Sequence, residues 1–243
     1  MNFIYKTFFI VAFIFSSNVF AQDLNPQQEE DLEKVEQLLR ENPELIPNIH
    51  RGLQRFLEQQ SEQKNAFANH QEWLYQSAAH PILGDKDAPH KIIVFTDYNC
   101  PFCKKLEPGL HKLIEEYPSI QVVNIFVPLR QQQVDGLKTN SALYGLNLWR
   151  NDSKAFFEAH NLMMKKSGMH TADSLQSVAQ VTSTEAFLSP SGESEAVIRK
   201  NMSAFRDLGF RGTPTIIIGQ QVTPGYIPYG KLETIATEQF ELD

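Results

Sequence analysis

The chain has 243 residues, enough for one catalytic domain plus an appendage. Its formal charge is −7, with 22 basic and 29 acidic residues and no basic patch interleaved with aromatics, which excludes a nucleic-acid partner. Residues 22–77 alone hold eleven acids and five bases, so the acidity belongs to that segment and reads as a solvated helical face.

Lys6 precedes the apolar run Phe8 to Phe15, and Ser16-Ser17-Asn18 and Val19-Phe20-Ala21 follow. This is the pattern of a secretory signal cut after Ala21. A membrane anchor is the competing reading, but the apolar core is short for a bilayer span and no later stretch is long enough. The mature chain is expected in the periplasm, an oxidising compartment.

Residues 22–77 form the second segment. Leu32, Val35 and Leu38 recur at helical spacing, and Asn42-Pro43 breaks that helix and starts the next. Ile49, Leu53, Phe56, Gln60, Gln63, Phe67, His70 and Leu74 then alternate at spacings of three and four, a heptad-like seam with a polar centre. So long a stripe needs a partner. Self-association into a homodimer or homotrimer is expected, against the alternative of a helix laid on its own domain.

Ile82-Leu83-Gly84-Asp85 reads as an edge segment and turn. Lys91 to Thr96 is a buried central strand. It runs into Asp97-Tyr98-Asn99-Cys100-Pro101-Phe102-Cys103, which holds both cysteines of the chain. Pro101 suits the first position of a helix expected to run to about Tyr117, with Pro118 as its stop. Cys100 then lies at the helix N-terminus, where free amides and the helix dipole favour a thiolate. Three readings of the pair compete. A structural zinc needs four ligands, and no second cysteine pair exists. An inert disulfide closing so short a loop gains little. An activated redox dithiol fits the strand-to-helix setting. Phe102 offers no cationic or hydrogen-bonding help, so a moderate lowering of the Cys100 pKa is expected. Lys104 and Lys105 read as solvated.

Ile120 to Pro128 is the next strand. Helices are expected around 137–150, 153–166, 172–180 and 193–208, with Trp149, Phe156, Phe157, Leu162, Met163 and Met164 as their core. The seven histidines lack metal-ligand spacing and read as surface or packing residues, so neither a metal nor a cofactor is expected. Gly212-Thr213-Pro214-Thr215 opens an apolar strand, and a proline there calls for an edge position or a cis bond. Residues 221–223 pair back as a hairpin, and Pro228 opens a last helix.

This order, with Cys100-Pro101-Phe102-Cys103 and Gly212-Thr213-Pro214-Thr215 in place, resembles the thioredoxin-like DsbA superfamily, and within it the exported DsbA- and ScsC-like branch with an N-terminal oligomerising extension. The resemblance covers residue 78 to the C-terminus. It implies an α/β thioredoxin fold with an inserted helical domain at about 129–210, while the N-terminal helical extension at 22–77 rests on its own helical pattern. It also implies that Pro214 is a cis-proline facing the dithiol, with Pro101, Phe102 and Thr213 as active-site neighbours. Relatives commonly carry a buried acid where this chain has Val94. Asp97 is the available substitute as a proton relay for Cys103.

The expected activity is thiol-disulfide exchange on exported proteins. Cys100 is the exposed nucleophile and Cys103 the resolving thiol, and a membrane or soluble partner, DsbB- or DsbD-like, resets the pair. Thr213 and the Phe between the cysteines lean to disulfide isomerase, with dithiol oxidase as the alternative. Two remoter classes are a periplasmic holdase chaperone, which would keep binding after Cys100→Ser, and a copper-binding module, which would load copper without turnover.

Overall fold

Strand β2 (His90–Thr96) is the centre of the structure, a computed structural model that describes residues 24–189 and 191–242. The signal segment with its cleavage point after Ala21 lies outside the described residues. Five of the seven β2 residues are buried, because helices cover both faces of the sheet. β3 (Ile120–Phe126) pairs with it in parallel, Val94 standing opposite Asn124. β4 (Thr215–Ile218) pairs antiparallel on its other side, with Val94 opposite Ile216. β1 (Ile82–Leu83) and β5 (Gln221–Pro224) close the edges, giving the order β1-β3-β2-β4-β5. The β4–β5 turn is the two residues Gly219-Gln220, and Gly219 takes φ +56°, a conformation glycine adopts without steric cost.

Strand alternation sends two sets of side chains to opposite faces. Ile92, Val94, Val122, Ile216 and Ile218 meet α3 (Pro101–Glu116) and α8 (Tyr229–Phe240) through Leu106, Leu110, Leu113, Leu232 and Ile235. Each such leucine contributes roughly 2 kcal/mol by leaving water. α3 continues through Pro108, whose missing N–H deprives the Lys104 carbonyl of its usual donor. On the other face, Ile93, Phe95, Val123, Ile125 and Ile217 pack on Phe205 of α7 (Gly192–Asp207) and on Leu208, its C-cap.

The inserted block contains α4 (Ser141–Asn151), α5 (Ser153–Lys165), α6 (Ala172–Thr182) and the start of α7. Asn140 caps α4 by accepting from the Leu143 amide, which sets its start later than the apolar pattern implies. Tyr144, Leu146, Leu148, Phe156, Met163 and Leu175 are fully buried there. Phe157 is not part of that core: it is 39% exposed, because its neighbour Phe156 takes the inward position on the helix.

The chain divides into two compact units, one through Leu57 and one from Glu58 onward. The first holds α1 (Pro26–Glu41), capped by an Asn25/Gln28 capping box, a 3-10 turn at Pro43–Leu45, and the start of α2 (Ile46–Gln76). Within it Leu32, Val35, Leu38, Ile49, Leu53 and Phe56 are all exposed. The rest of α2 belongs to the second unit. Ala66 and Leu74 are buried with Phe205, Phe67 meets Phe210 edge-on, His70 bonds Asp207 at 2.9 Å, and Trp73 donates to Asn201 at 3.0 Å. The seam therefore has two halves, one exposed and one engaged within its own unit.

Candidate active site

The turn between β2 and α3 is built by Asp97. Its carboxylate accepts from the Asn99 amide at 2.8 Å and the Arg130 amide at 3.0 Å, and its carbonyl accepts from the Cys100 amide at 2.9 Å. Asn99 ties the turn to the inserted block by accepting from the His170 amide at 2.7 Å. Lys104 makes a second tie, donating to the carbonyls of Lys166 and of Gly168, the latter at 2.7 Å. It is a clamp, not the solvated side chain expected from sequence.

Cys100 is the N-cap of α3, with φ −85° and ψ 118°, and Pro101 follows as the first helical residue. An N-cap side chain ordinarily satisfies the free amides of the first turn. Here the sulfur makes no capping hydrogen bond of that kind. The Cys100 pKa falls from the usual thiol range to about 5. The Cys103 thiol is the main cause, donating to the Cys100 sulfur against the opposing effect of burial, and the Thr213 side chain and the amides of Cys103 and Phe102 add to it. The lowering is large, not moderate. The source that Phe102 does not supply is the second thiol. Cys103 moves the other way, pushed far above the thiol range by burial and then by its bond to Cys100, although the Thr96 side chain and the Asp97 backbone oppose this. Both cysteines are reduced. Cys100 retains 4% of its surface and Cys103 1%, so the nucleophile expected to be exposed is reached only through a narrow opening. Phe102 beside it is 57% exposed.

The Thr213–Pro214 peptide is cis, and the Thr213 carbonyl lies 3.1 Å from the Cys100 sulfur. Residues 113 apart in sequence thus meet. Asp97 is fully buried, and burial, more than its two amide partners can offset, raises its carboxyl pKa. Val94 is buried in the α3-facing core. Asn124 beside it on β3 is fully buried, and neither polar atom of its side chain has a hydrogen-bond partner among the described residues.

Sequence spacing did not reveal one further cluster. Glu107 on α3 meets His111 one turn later and His160 from α5. The two histidines are 49 positions apart and carry no recognisable spacing, so only the packing of α5 on α3 joins them.

The thioredoxin family profile matches residues 76–236, and the chain belongs to that family. Its fold is that of ScsC- and DsbA-type thiol-disulfide oxidoreductases. A linker-deletion variant of ScsC from Proteus mirabilis is 30% identical, with a TM-score of 0.69 over 91% of this chain and 99% of that one. A periplasmic thioredoxin-like protein from Salmonella enterica serovar Typhimurium is 31% identical, with a TM-score of 0.65 over 70% of this chain and 95% of that one. Disulfide bond formation protein D of Bacillus subtilis is 23% identical over 177 residues, 65% of this chain and 76% of that protein. The chain also matches two curated Na(+)/H(+) antiporter NhaA proteins of Salinispora species, but spans only 13% and 12% of their length. Among the described residues no helix is long and apolar enough to cross a membrane.

Proposed function

We propose that the protein is a periplasmic thiol-disulfide oxidoreductase that rearranges disulfides in exported proteins. The observation that carries the reading is the placement of Cys100 as the N-cap of α3 with the cis Thr213–Pro214 peptide beside it and Cys103 one turn on, a setting in which the Cys103 thiol lowers the Cys100 pKa to about 5. The thiolate attacks one sulfur of a substrate disulfide, a mixed disulfide forms and a substrate thiolate leaves. In isomerisation that thiolate attacks a second disulfide of the same substrate, and a substrate thiol finally displaces Cys100, with no net oxidation. If rearrangement stalls, Cys103 loses its proton and attacks the Cys100 sulfur. The substrate leaves reduced and the pair is left as a disulfide. Asp97 is the proposed acceptor of that proton, since its backbone bonds Cys103 and its raised pKa suits exchange. Thr213 presents its carbonyl where an extended substrate segment can pair, and Pro214 adds no competing donor.

The exposed apolar side chains of residues 24–57 support self-association as a homodimer or homotrimer, which would set several dithiols around one substrate. The proposed division is a signal through residue 21, an association segment over 22–77 and a catalytic domain over 78–243. A redox partner, DsbB- or DsbD-like, would reset the dithiol. Periplasmic location rests on the N-terminal pattern and on the Salmonella relative's description.

A second reading, dithiol oxidase, is favoured by the depth of the Cys100 shift, because a very stable thiolate makes the disulfide form a stronger oxidant. The two are separated by refolding a scrambled multi-disulfide protein and by oxidising the same protein from its reduced form. The full chain is compared with one starting at Glu58, which keeps Phe67 and Leu74 on the catalytic unit. Rearrangement by the full chain and its loss on truncation support the isomerase. Fast oxidation with scrambled substrate untouched, unchanged by truncation, refutes it.

A further inference from the structure

Glu107 is buried, and one of its carboxylate oxygens, Oε1, lies 2.7 Å from His160 Nε2 and 3.3 Å from His111 Nε2. The second distance equals the ligand-to-ligand edge of a tetrahedral zinc site, roughly 3.3 Å for bonds of ~2.0–2.1 Å. The first needs an opening of about half an ångström to reach it. Among the described residues this is the group whose histidine and carboxylate ligand atoms converge within 4.8 Å.

The two histidines are presented for ligation. His160 is fully buried, and its Nδ1 lies 2.8 Å from the Tyr98 hydroxyl. A proton on Nδ1 donated to that hydroxyl oxygen leaves the Nε2 lone pair directed at the cluster, the outer arrangement that fixes a metal-ligating imidazole. Tyr98 is itself held, stacked on Phe126 at 4.6 Å. His111 Nε2 is buried and has no hydrogen-bond partner among the described residues. Glu107 and His111 also line a cavity of about 680 Å³, so an ion has a route in and the remaining coordination positions have room for water.

We propose that Glu107, His111 and His160 form a binding site for a borderline divalent transition ion of the Zn2+ class, separate from the dithiol. The ion takes the place of the direct contact between His160 Nε2 and Glu107 Oε1. It links α3 of the thioredoxin core to α5 of the inserted block. Two imidazoles and a carboxylate suit Zn2+ or Co2+ rather than Mg2+ or Ca2+, which prefer all-oxygen sets.

The probe is Co2+, followed by Zn2+ displacement, on the full untagged chain with both cysteines alkylated. The site predicts one equivalent of Co2+, visible d–d absorption without a thiolate charge-transfer band, and loss of that absorption on adding Zn2+. His111→Ala, at a half-buried position, should weaken binding at least tenfold. Tyr98→Phe, which removes only the outer hydrogen bond, should weaken it by about tenfold or more. Circular dichroism confirms that each variant is folded, and Glu107→Gln, which retains a hydrogen-bonding amide, replaces any that is not. Absence of d–d absorption in the alkylated protein, or equal Co2+ affinity in the wild type and a folded His111→Ala or Glu107→Gln variant, overturns the proposal.

Discussion

The Cys100 thiolate should make the reduced protein more stable than the oxidised one, by an amount that depends on pH. A group whose pKa is depressed on folding contributes fully above its unfolded value and loses that contribution as pH falls through the folded one. For Cys100 the window runs from the ordinary thiol value of 9.0 down to about 5. At pH 7 the folded value lies about two units below ambient pH, worth ~2.7 kcal/mol at 1.36 kcal/mol per unit. Cys100 is buried but keeps a small opening to solvent, so screening removes part of this and ~1.4 kcal/mol is a reasonable floor. The disulfide form has no thiol to ionise, so the term separates the two redox states. It corresponds to roughly 30–60 mV toward the oxidising side. Cys103 stays protonated in the folded state, and because its unfolded thiol ionises only near pH 9.0 it adds little slope between pH 5 and pH 8. Urea unfolding of both redox forms at pH 5, 6, 7 and 8 measures the difference, and thiolate absorbance of the reduced protein measures the pKa directly. A stability difference that is flat from pH 5 to pH 8, or an apparent pKa at or above ~8.5, refutes the argument that Cys103 and the first-turn amides hold the charge.

Three substitutions test other parts of the same frame. Asn124→Val should stabilise the fold by about 1–3 kcal/mol, since it replaces two unpartnered buried polar atoms with a strand-favouring side chain beside Val94; a lower urea midpoint would contradict this. Lys104→Met should cost about 1 kcal/mol by releasing the Lys166 and Gly168 carbonyls, and should raise the Cys100 pKa by removing a nearby positive charge; an unchanged thiolate titration would show that the lysine acts only as a clamp. Gly145→Ala would place its Cβ 3.0 Å from the Tyr98 hydroxyl, on a ring fixed by Phe126 and His160, so overpacking should outweigh the gain in helix propensity by ~1–2 kcal/mol, read as a lower Tm.

Local chemistry was legible in the chain itself. The apolar run before Cys100, the proline after it and the two-residue spacing place a dithiol on a strand-to-helix turn, because periodicity, capping and proline geometry act over a few residues. The same holds for Thr213-Pro214 at the head of β4, where the absent amide restricts what the backbone can do. The heptad-like spacing of α2 was also readable. Spacing states that a stripe exists but not what covers it, and the fold divides the stripe, leaving Ile49, Leu53 and Phe56 exposed while Phe67 and Leu74 pack on the catalytic unit. Long-range chemistry was decided only by tertiary structure. The Cys100 pKa depends on where a buried Cys103 directs its proton. Lys104 has a role only once two carbonyls from the inserted block are brought to it. His160 reaches Glu107 and His111 only because α5 packs on α3. Solvation and electrostatics are set by three-dimensional neighbours, and those neighbours are far apart along this chain.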